Sequence, residues 1–397
     1  MNVNDIRFAD RFEGITGSAI REIFKLLARP GMISFAGGNP SESALPDEEM
    51  AEIAADVLRQ DGKRILQYGA TEGYPPFLEA LKGYLGPHFG IDMALNGVLP
   101  TTGSTQGMQL LLSALINPGD TILVENPTFL GNMQSMRLFR AKLVPVNSDD
   151  EGMDVDDLEA KIKAHRPRLI YTIPTFQNPT GCTIGLERRK RIAALAEQYG
   201  VVVAEDDPYH DLRYTGQELP TIKSFDKSGW VVFLGSFSKV ISPGMRVGFL
   251  AAEPGILRKC VIAKQASDLH TASLNQAMCA EYIRRGLLEP HVSAILQPYA
   301  DQMNTMLDEL SRMKTVASYT RPEGGLFIFA GLDERLNATE LLNKAVERGV
   351  AYVPGTHFYP EGGHQNTFRL NFSKASPEEI RKGMRLLEET FAGACRA

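Results

Sequence analysis

Four features in the middle of the sequence carry residue types that could do chemistry together. Lys239, within Ser236-Phe237-Ser238-Lys239, offers an amine able to capture a carbonyl group or to move a proton. Asp206, within Glu205-Asp206-Asp207-Pro208-Tyr209, offers a carboxylate with the Tyr209 phenol three residues on. Asn178, within Asn178-Pro179-Thr180-Gly181, offers an amide. Thr102-Gly103-Ser104-Thr105-Gln106-Gly107 opens a predicted helix running to about Ile116, and the free backbone N–H groups at such a start form an anion site. Each feature alone has an ordinary reading: a loop lysine, a turn-capping aspartate, a turn and a helix cap. Their placement is what makes them a set.

That placement comes from the surrounding elements. Short apolar runs at Thr121–Val124, Leu169–Ile173, Val201–Ala204, Val231–Leu234 and Val247–Ala251 are rich in β-branched residues and do not alternate with polar ones. This is the pattern of parallel strands covered on both faces. Amphipathic stretches such as Leu186–Tyr199 fall between them. The expected fold class is α/β, with a mostly parallel central sheet flanked by helices. In such a sheet ligands bind beyond the carboxyl ends of the strands, and Asn178, Asp206 and Lys239 each follow one.

The C-terminal part reads differently, as a smaller α+β domain. A long helix over about His291–Met313 leads to a strand at Leu326–Phe329, then another helix and two short strands. Ser376-Pro377-Glu378-Glu379 opens the last helix with a capping box and a proline at the first position. The expected division is an N-terminal arm with part of the small domain (1–45), a large domain (46–287) and a C-terminal small domain (288–397).

Bulk composition excludes more than it assigns. The 397 residues suit two domains, and 43% hydrophobic with 23% charged is ordinary for a globular protein. A net charge of −6 gives no reason to expect nucleic acid or an anionic membrane as partner. The start, MNVNDIRFADRF, has no apolar core of a signal peptide, and no run approaches the ~18 apolar residues of a membrane span. Cys182, Cys260, Cys279 and Cys395 show neither metal-ligand nor disulfide spacing, and His357 and His364 do not read as ligands, so no metal is expected. A reduced, cytoplasmic setting is the expectation.

An aldehyde cofactor with a phosphate and a pyridine ring needs this whole set: a lysine, an acid for the ring nitrogen, and donors for phenolate and phosphate. Ser236-Phe237-Ser238-Lys239-Val240-Ile241-Ser242-Pro243-Gly244-Met245-Arg246-Val247-Gly248 resembles the lysine signature of the fold-type I, class I/II aminotransferases, which use pyridoxal 5′-phosphate. Asn178-Pro179-Thr180-Gly181, Asp206 with Tyr209, and Arg369 in Phe368-Arg369-Leu370-Asn371-Phe372 extend the likeness in the family's order, from roughly residue 16 to the end. Ala19-Ile20-Arg21-Glu22-Ile23, Phe35-Ala36-Gly37-Gly38-Asn39-Pro40 and Asp206-Asp207-Pro208-Tyr209 are most similar to the α-aminoadipate and kynurenine aminotransferase branch.

The resemblance implies roles for individual residues. Lys239 would bind the cofactor aldehyde and then move the proton at the substrate α-carbon. Asp206 would pair with the ring nitrogen, while Tyr209 and Asn178 would bond the phenolic oxygen. Phe129 would stack on the ring, where many relatives have Tyr or Trp. Gly103, Ser104, Thr105, Ser236, Ser238 and Arg246 would hold the phosphate. Arg369 would grip the substrate α-carboxylate with its two-pronged guanidinium, with Asn178 and Gly38 beside it. Tyr68 would reach the phosphate of the other subunit, which implies a homodimer. Arg21 is a candidate for a distal substrate carboxylate.

The implied activity is ping-pong transfer of an amino group from an L-amino acid to a 2-oxo acid, with 2-oxoglutarate the expected acceptor. The amino donor stays open among aromatic, branched, aminoadipate-like and kynurenine-like amino acids. A C–S lyase, a decarboxylase or a cyclopropane-forming synthase could use the same fold and lysine, although the Arg369 clamp favours a substrate that keeps its α-carboxylate. A cofactor-binding transcription regulator is the remote alternative; it would carry a DNA-binding segment ahead of the region where the likeness begins.

Overall fold

Strands that must be apolar on both sides need helices on both sides, and the apolar runs of the sequence meet that condition in one eight-stranded sheet. The structure is a computed structural model that describes residues 6–15, 17 and 31–395. The chain forms β1 (Ile33–Ser34), α1 (Asp47–Ile65), α2 (Pro75–Phe89), β2 (Gly97–Thr101) and α3 (Ser104–Leu115). Next come β3 (Thr121–Asn126), α4 (Leu130–Leu138), β4 (Lys142–Asp149), β5 (Gly152–Met153) and α5 (Val155–His165). Then follow β6 (Leu169–Thr172), α6 (Leu186–Tyr199), β7 (Val202–Asp206), α7 (Ile222–Phe225), β8 (Val231–Ser236) and β9 (Gly248–Ala252). Helices α8 (Pro254–Ser267), α9 (Ser273–Arg284) and α10 (Leu288–Arg312) lead to β10 (Val316–Tyr319) and β11 (Phe327–Leu332). The chain closes with α11 (Ala338–Glu347), β12 (Val350–Ala351), β13 (Val353–Pro354), β14 (Thr367–Asn371) and α12 (Pro377–Cys395).

The large sheet has the order β2-β9-β8-β7-β6-β3-β4-β5. Strands β8, β7, β6, β3 and β4 are parallel neighbours. The strand expected at Val247–Ala251 does not join that parallel set: β9 runs antiparallel to both β8 and β2. A parallel return needs a crossover of about a dozen residues or more, usually a helix, and the link 237–247 is too short for one. Strand β2, missed in the sequence, contains Pro100 and lies at the end of the strand order, where a missing ladder donor is tolerated.

The pleat sorts the strand residues into two cores. Ile122, Val124, Leu169, Tyr171, Val202 and Ala204 face a core shared with α1, α2, α3 and α9. Leu123, Ile170, Val203 and Val231 face the other, under α5 and α6. A third core holds the small antiparallel sheet β10-β11-β14-β13 with α11 and α12, and it includes Ile33, Phe35 and Ala36 from the start of the chain. Helix α10 is common property: Leu288, Ile295 and Tyr299 belong to the first core, Met303, Met306 and Leu310 to the third. It begins about a turn before the expected His291. The capping box of α12 forms as read: the Glu379 N–H donates to Ser376 Oγ (3.3 Å) and the Ser376 N–H to Glu379 Oε2 (2.8 Å). No helix among the described residues is long and apolar enough to cross a membrane.

Candidate active site

Five loops leave the large sheet at the carboxyl ends of β2, β3, β6, β7 and β8, and with β14 of the small sheet they enclose a cavity of about 330 Å³. Its lining includes Gly38, Ser104, Thr105, Phe129, Asn178, Asp206, Tyr209, Ser236, Ser238, Lys239, Arg246 and Arg369. Those are nearly all the residues singled out from the sequence. Gly103 is not in the lining but abuts Arg246. Tyr68 stands apart at 81% exposed, with its ring 6.3 Å from that of His270. Arg21 lies outside the described residues.

The amine comes first. Lys239 Nζ donates to the Gly38 carbonyl at 2.7 Å, a bond between residues 201 positions apart. Burial, helped by the positive charges of Arg369 and Arg246, pulls its ammonium down to about 8. A fraction of the lysine is therefore a free base near neutral pH, which both carbonyl capture and proton removal require.

Asp206 ends β7 and is 2% exposed. Its Oδ2 accepts from the Tyr171 hydroxyl (2.9 Å) and from Asn132 Nδ2 (3.0 Å), whereas Oδ1 has no partner among the described residues. Burial pushes the carboxyl up to about 7, against the lowering pull of the Tyr171 hydrogen bond. A buried acid with one unfilled oxygen on a cavity fits a cationic N–H donor such as a protonated pyridine ring.

Arg369 sits on β14, opposite Phe329 and Val353, and is 2% exposed. Both faces of β14 are covered, and Arg369 lines the cavity. Its guanidinium donates to Asn178 Oδ1 (2.8 Å) and to the Ala36 carbonyl (2.7 Å), leaving Nε without a partner among the described residues. The rings of Phe327 and Phe358 lie 4.2 and 5.0 Å from it. Burial lowers it only to about 10, so it stays cationic at neutral pH. Asn178 Nδ2 in turn donates to the Tyr209 hydroxyl at 3.4 Å.

The opposite wall is built for an anion. The start of α3 has no acidic residue in its first turn. Gly103, at φ +76°, precedes it, and a Cβ there would lie 2.3 Å from an Arg246 terminal nitrogen. Only glycine lets that guanidinium lie against the helix start. Arg246 makes three long contacts of 3.4 Å each, to Ser238 Oγ and to the Pro243 and Thr102 carbonyls. Ser236 Oγ and Ser238 Oγ are 2.8 Å apart. A doubly charged phosphate would complete these loosely satisfied donors.

Sequence reasoning missed Asn132 and Tyr171, because a buried tyrosine on a strand and an asparagine in a first helical turn give no signal until the strands are in register. It also missed Asn39, Ile173, Pro208, Pro243 and Phe327, which complete the lining. No group of three or more His, Cys, Asp or Glu among the described residues is placed to hold a metal.

The comparisons with known proteins agree with this chemistry. The family model "Aminotransferase class I and II" matches residues 30–387. The chain is 40% identical over 390 residues to aromatic-amino-acid aminotransferase 1 of Thermococcus litoralis, covering 97% of this chain and 94% of that protein. Among solved structures it resembles the Pyrococcus horikoshii kynurenine aminotransferase, in complex with PMP, with KYN as substrate and KYA as product. The TM-score is 0.94 at 38% identity, covering 98% of both chains. The α-aminoadipate aminotransferase LysN of Thermus thermophilus, complexed with N-(5'-phosphopyridoxyl)-L-leucine, gives a TM-score of 0.90 at 38% identity over 98% of both chains. On a match that runs through nearly the whole chain, this protein belongs to the class I and II aminotransferases, enzymes that move amino groups with pyridoxal 5′-phosphate.

Proposed function

We propose that the ~330 Å³ cavity is the transamination site, on one observation above the others: the free Oδ1 of Asp206, the amine of Lys239 and the cationic fork of Arg369 share it. Pyridoxal 5′-phosphate supplies, when bound, an aldehyde that takes up the amino group and a ring that draws electrons from the substrate α-carbon. Lys239 Nζ would hold the aldehyde and, once the substrate amine has displaced it, act as the free base that moves the proton at the α-carbon. Asp206 Oδ1 would accept from the ring nitrogen and keep its proton in place. Tyr209 and Asn178 orient the ring through its phenolic oxygen, and Phe129 covers one face. Ser104, Thr105, Ser236, Ser238 and Arg246 would hold the phosphate, with Gly103 letting the Arg246 guanidinium lie against the helix start. Arg369 takes the substrate carboxylate in a bidentate grip, between Asn178 and the Gly38 segment.

The substrates are an L-amino acid and a 2-oxo acid, the latter 2-oxoglutarate. Apolar lining from Phe129, Ile173 and Phe327 favours large donors of the aromatic or kynurenine type, while Arg21 would serve an aminoadipate-like carboxylate. The working form is a cytoplasmic homodimer in which Tyr68, exposed in the single chain, reaches the partner's phosphate site. The division into arm with part of the small domain (1–45), large domain (46–287) and small domain (288–397) has α10 as its continuous link.

The test is an absorbance spectrum of the cofactor-loaded protein before and after a panel of L-amino acids, beside Lys239→Ala. Donors should shift the visible band in wild type, and 2-oxoglutarate should restore it. A Lys239→Ala protein with the wild-type band would remove the lysine assignment. Failure of 2-oxoglutarate to restore the band would remove that acceptor. Unchanged kinetics toward glutamate and aminoadipate in Arg21→Ala would remove Arg21.

A further inference from the structure

Two buried side chains that do not line the cavity converge on the one acid that does. Tyr171 and Asn132 are both fully buried. The Tyr171 hydroxyl donates to Asp206 Oδ2 at 2.9 Å, Asn132 Nδ2 donates to the same oxygen at 3.0 Å, and Asn132 Nδ2 also reaches the Tyr171 hydroxyl at 2.8 Å. The triangle closes on Oδ2 and leaves Oδ1 unpaired among the described residues.

Its construction follows from strand register. Tyr171 on β6 is opposite Ala204 on β7, so the two side chains leave the same face of the sheet. Asp206, two residues beyond Ala204, shares that face, and the length of a tyrosine spans the offset. Asn132 enters from the first turn of α4, after the loop that carries Phe129. Three separate elements thus fix one carboxylate.

A carboxylate on a single bond can rotate and exchange its two oxygens. Two donors held on one oxygen remove that freedom, and charge-assisted bonds of this kind are the stronger ones in proteins. We propose that Tyr171 and Asn132 are positioning residues for the cofactor's ring nitrogen: by occupying Asp206 Oδ2 they present Oδ1 alone to it. The proposal rests on the reading of Asp206 given above, and it assigns work to two residues with no contact to the cavity.

The experiment compares two cofactors in the full-length protein. One is pyridoxal 5′-phosphate; the other is 1-deazapyridoxal 5′-phosphate, which carries a ring CH in place of the nitrogen. Dissociation constants are measured by spectral titration of apo-protein for wild type, Tyr171→Phe, Asn132→Ala and Asp206→Ala. Tyr171→Phe should weaken pyridoxal 5′-phosphate by about tenfold, the scale of one hydrogen bond to a charged group, and the deaza analogue by less than about twofold. Asn132→Ala should show the same selectivity at roughly threefold, and carries the test if the tyrosine variant does not fold.

Equal weakening of both cofactors would mean that the pair only packs the pocket, and the proposal fails. No weakening of either also overturns it. Asp206→Ala separates the layers. If that variant does not distinguish the two cofactors, the assignment of Asp206 itself is wrong. If it distinguishes them while Tyr171→Phe and Asn132→Ala do not, only the present inference falls.

Discussion

Glu205 and Asp206 are consecutive residues of β7, 0% and 2% exposed, and burial pushes both carboxyl groups up to about 7. The pleat sends them to opposite faces of the sheet, and there the likeness ends. Each oxygen of Glu205 accepts a backbone N–H at 2.7 Å, from Ile222 and from Lys223, so the acid closes the start of α7. Among the described residues, Asp206 has two donors on one oxygen and none on the other. Glu125, also buried and pushed to about 8, belongs with Glu205: Thr172, Ile173 and Gln177 saturate it. Burial and a displaced titration are thus shared by structural and chemical acids. An unfilled acceptor on a residue that lines the cavity is what separates them.

The sharpest way to break this contrast is to delete both acids in turn. Asp206→Ala should lower kcat/KM by roughly 10²–10³-fold, the scale of removing one preorganised electrostatic group, with no loss in the melting temperature of the apo-protein. Similar kinetic damage from Glu205→Gln would erase the distinction. Next in size is Arg369→Lys, which replaces a fork by a point charge. The KM for the amino acid should rise by about ten- to a hundredfold while the dissociation constant of the cofactor stays constant.

Glu205→Gln should instead appear in stability. Its amide NH2 must face a backbone donor, so urea unfolding should show a loss of about 1–3 kcal/mol with kcat within about twofold of wild type. The smallest effect is on pH. The folded-state pKa of Glu205 is raised from 4.5 to about 7, so its contribution to stability is fully present below pH 4.5 and is lost as pH rises through 7. Apo-protein carrying Glu205→Gln should show a flatter decline than wild type over that window; an unchanged slope would mean that Glu205 does not titrate there.

The same contrast explains what could be read from the sequence. Asn178, Asp206 and Lys239 were legible because each follows an apolar strand in a parallel set, and strand ends define where such a sheet binds. Arg369 was legible only through its flanking motif, since it reaches the cavity from the small sheet. Tyr171 and Asn132 were invisible because their role exists only once β6, β7 and α4 are in register. The antiparallel course of β9 was hidden for a related reason: a doubly covered strand looks equally apolar in either direction, and only the shortness of the 237–247 link gives it away. Tyr68 tells the opposite story, a residue suggested by likeness and left on the surface of a single chain.

Helix α10 has a mechanical consequence. It is one rod clamped at both ends, by Leu288, Ile295 and Tyr299 in one core and by Met303, Met306 and Leu310 in another. Pro298 lies within the first clamp, between Ile295 and Tyr299, and has no N–H to return to residue 294. Across the cavity the chain is tied a second time, by the hydrogen bonds from Lys239 to Gly38 and from Arg369 to Asn178. The two cores are thus joined twice over, by one continuous rod and by this pair of hydrogen bonds across the cavity.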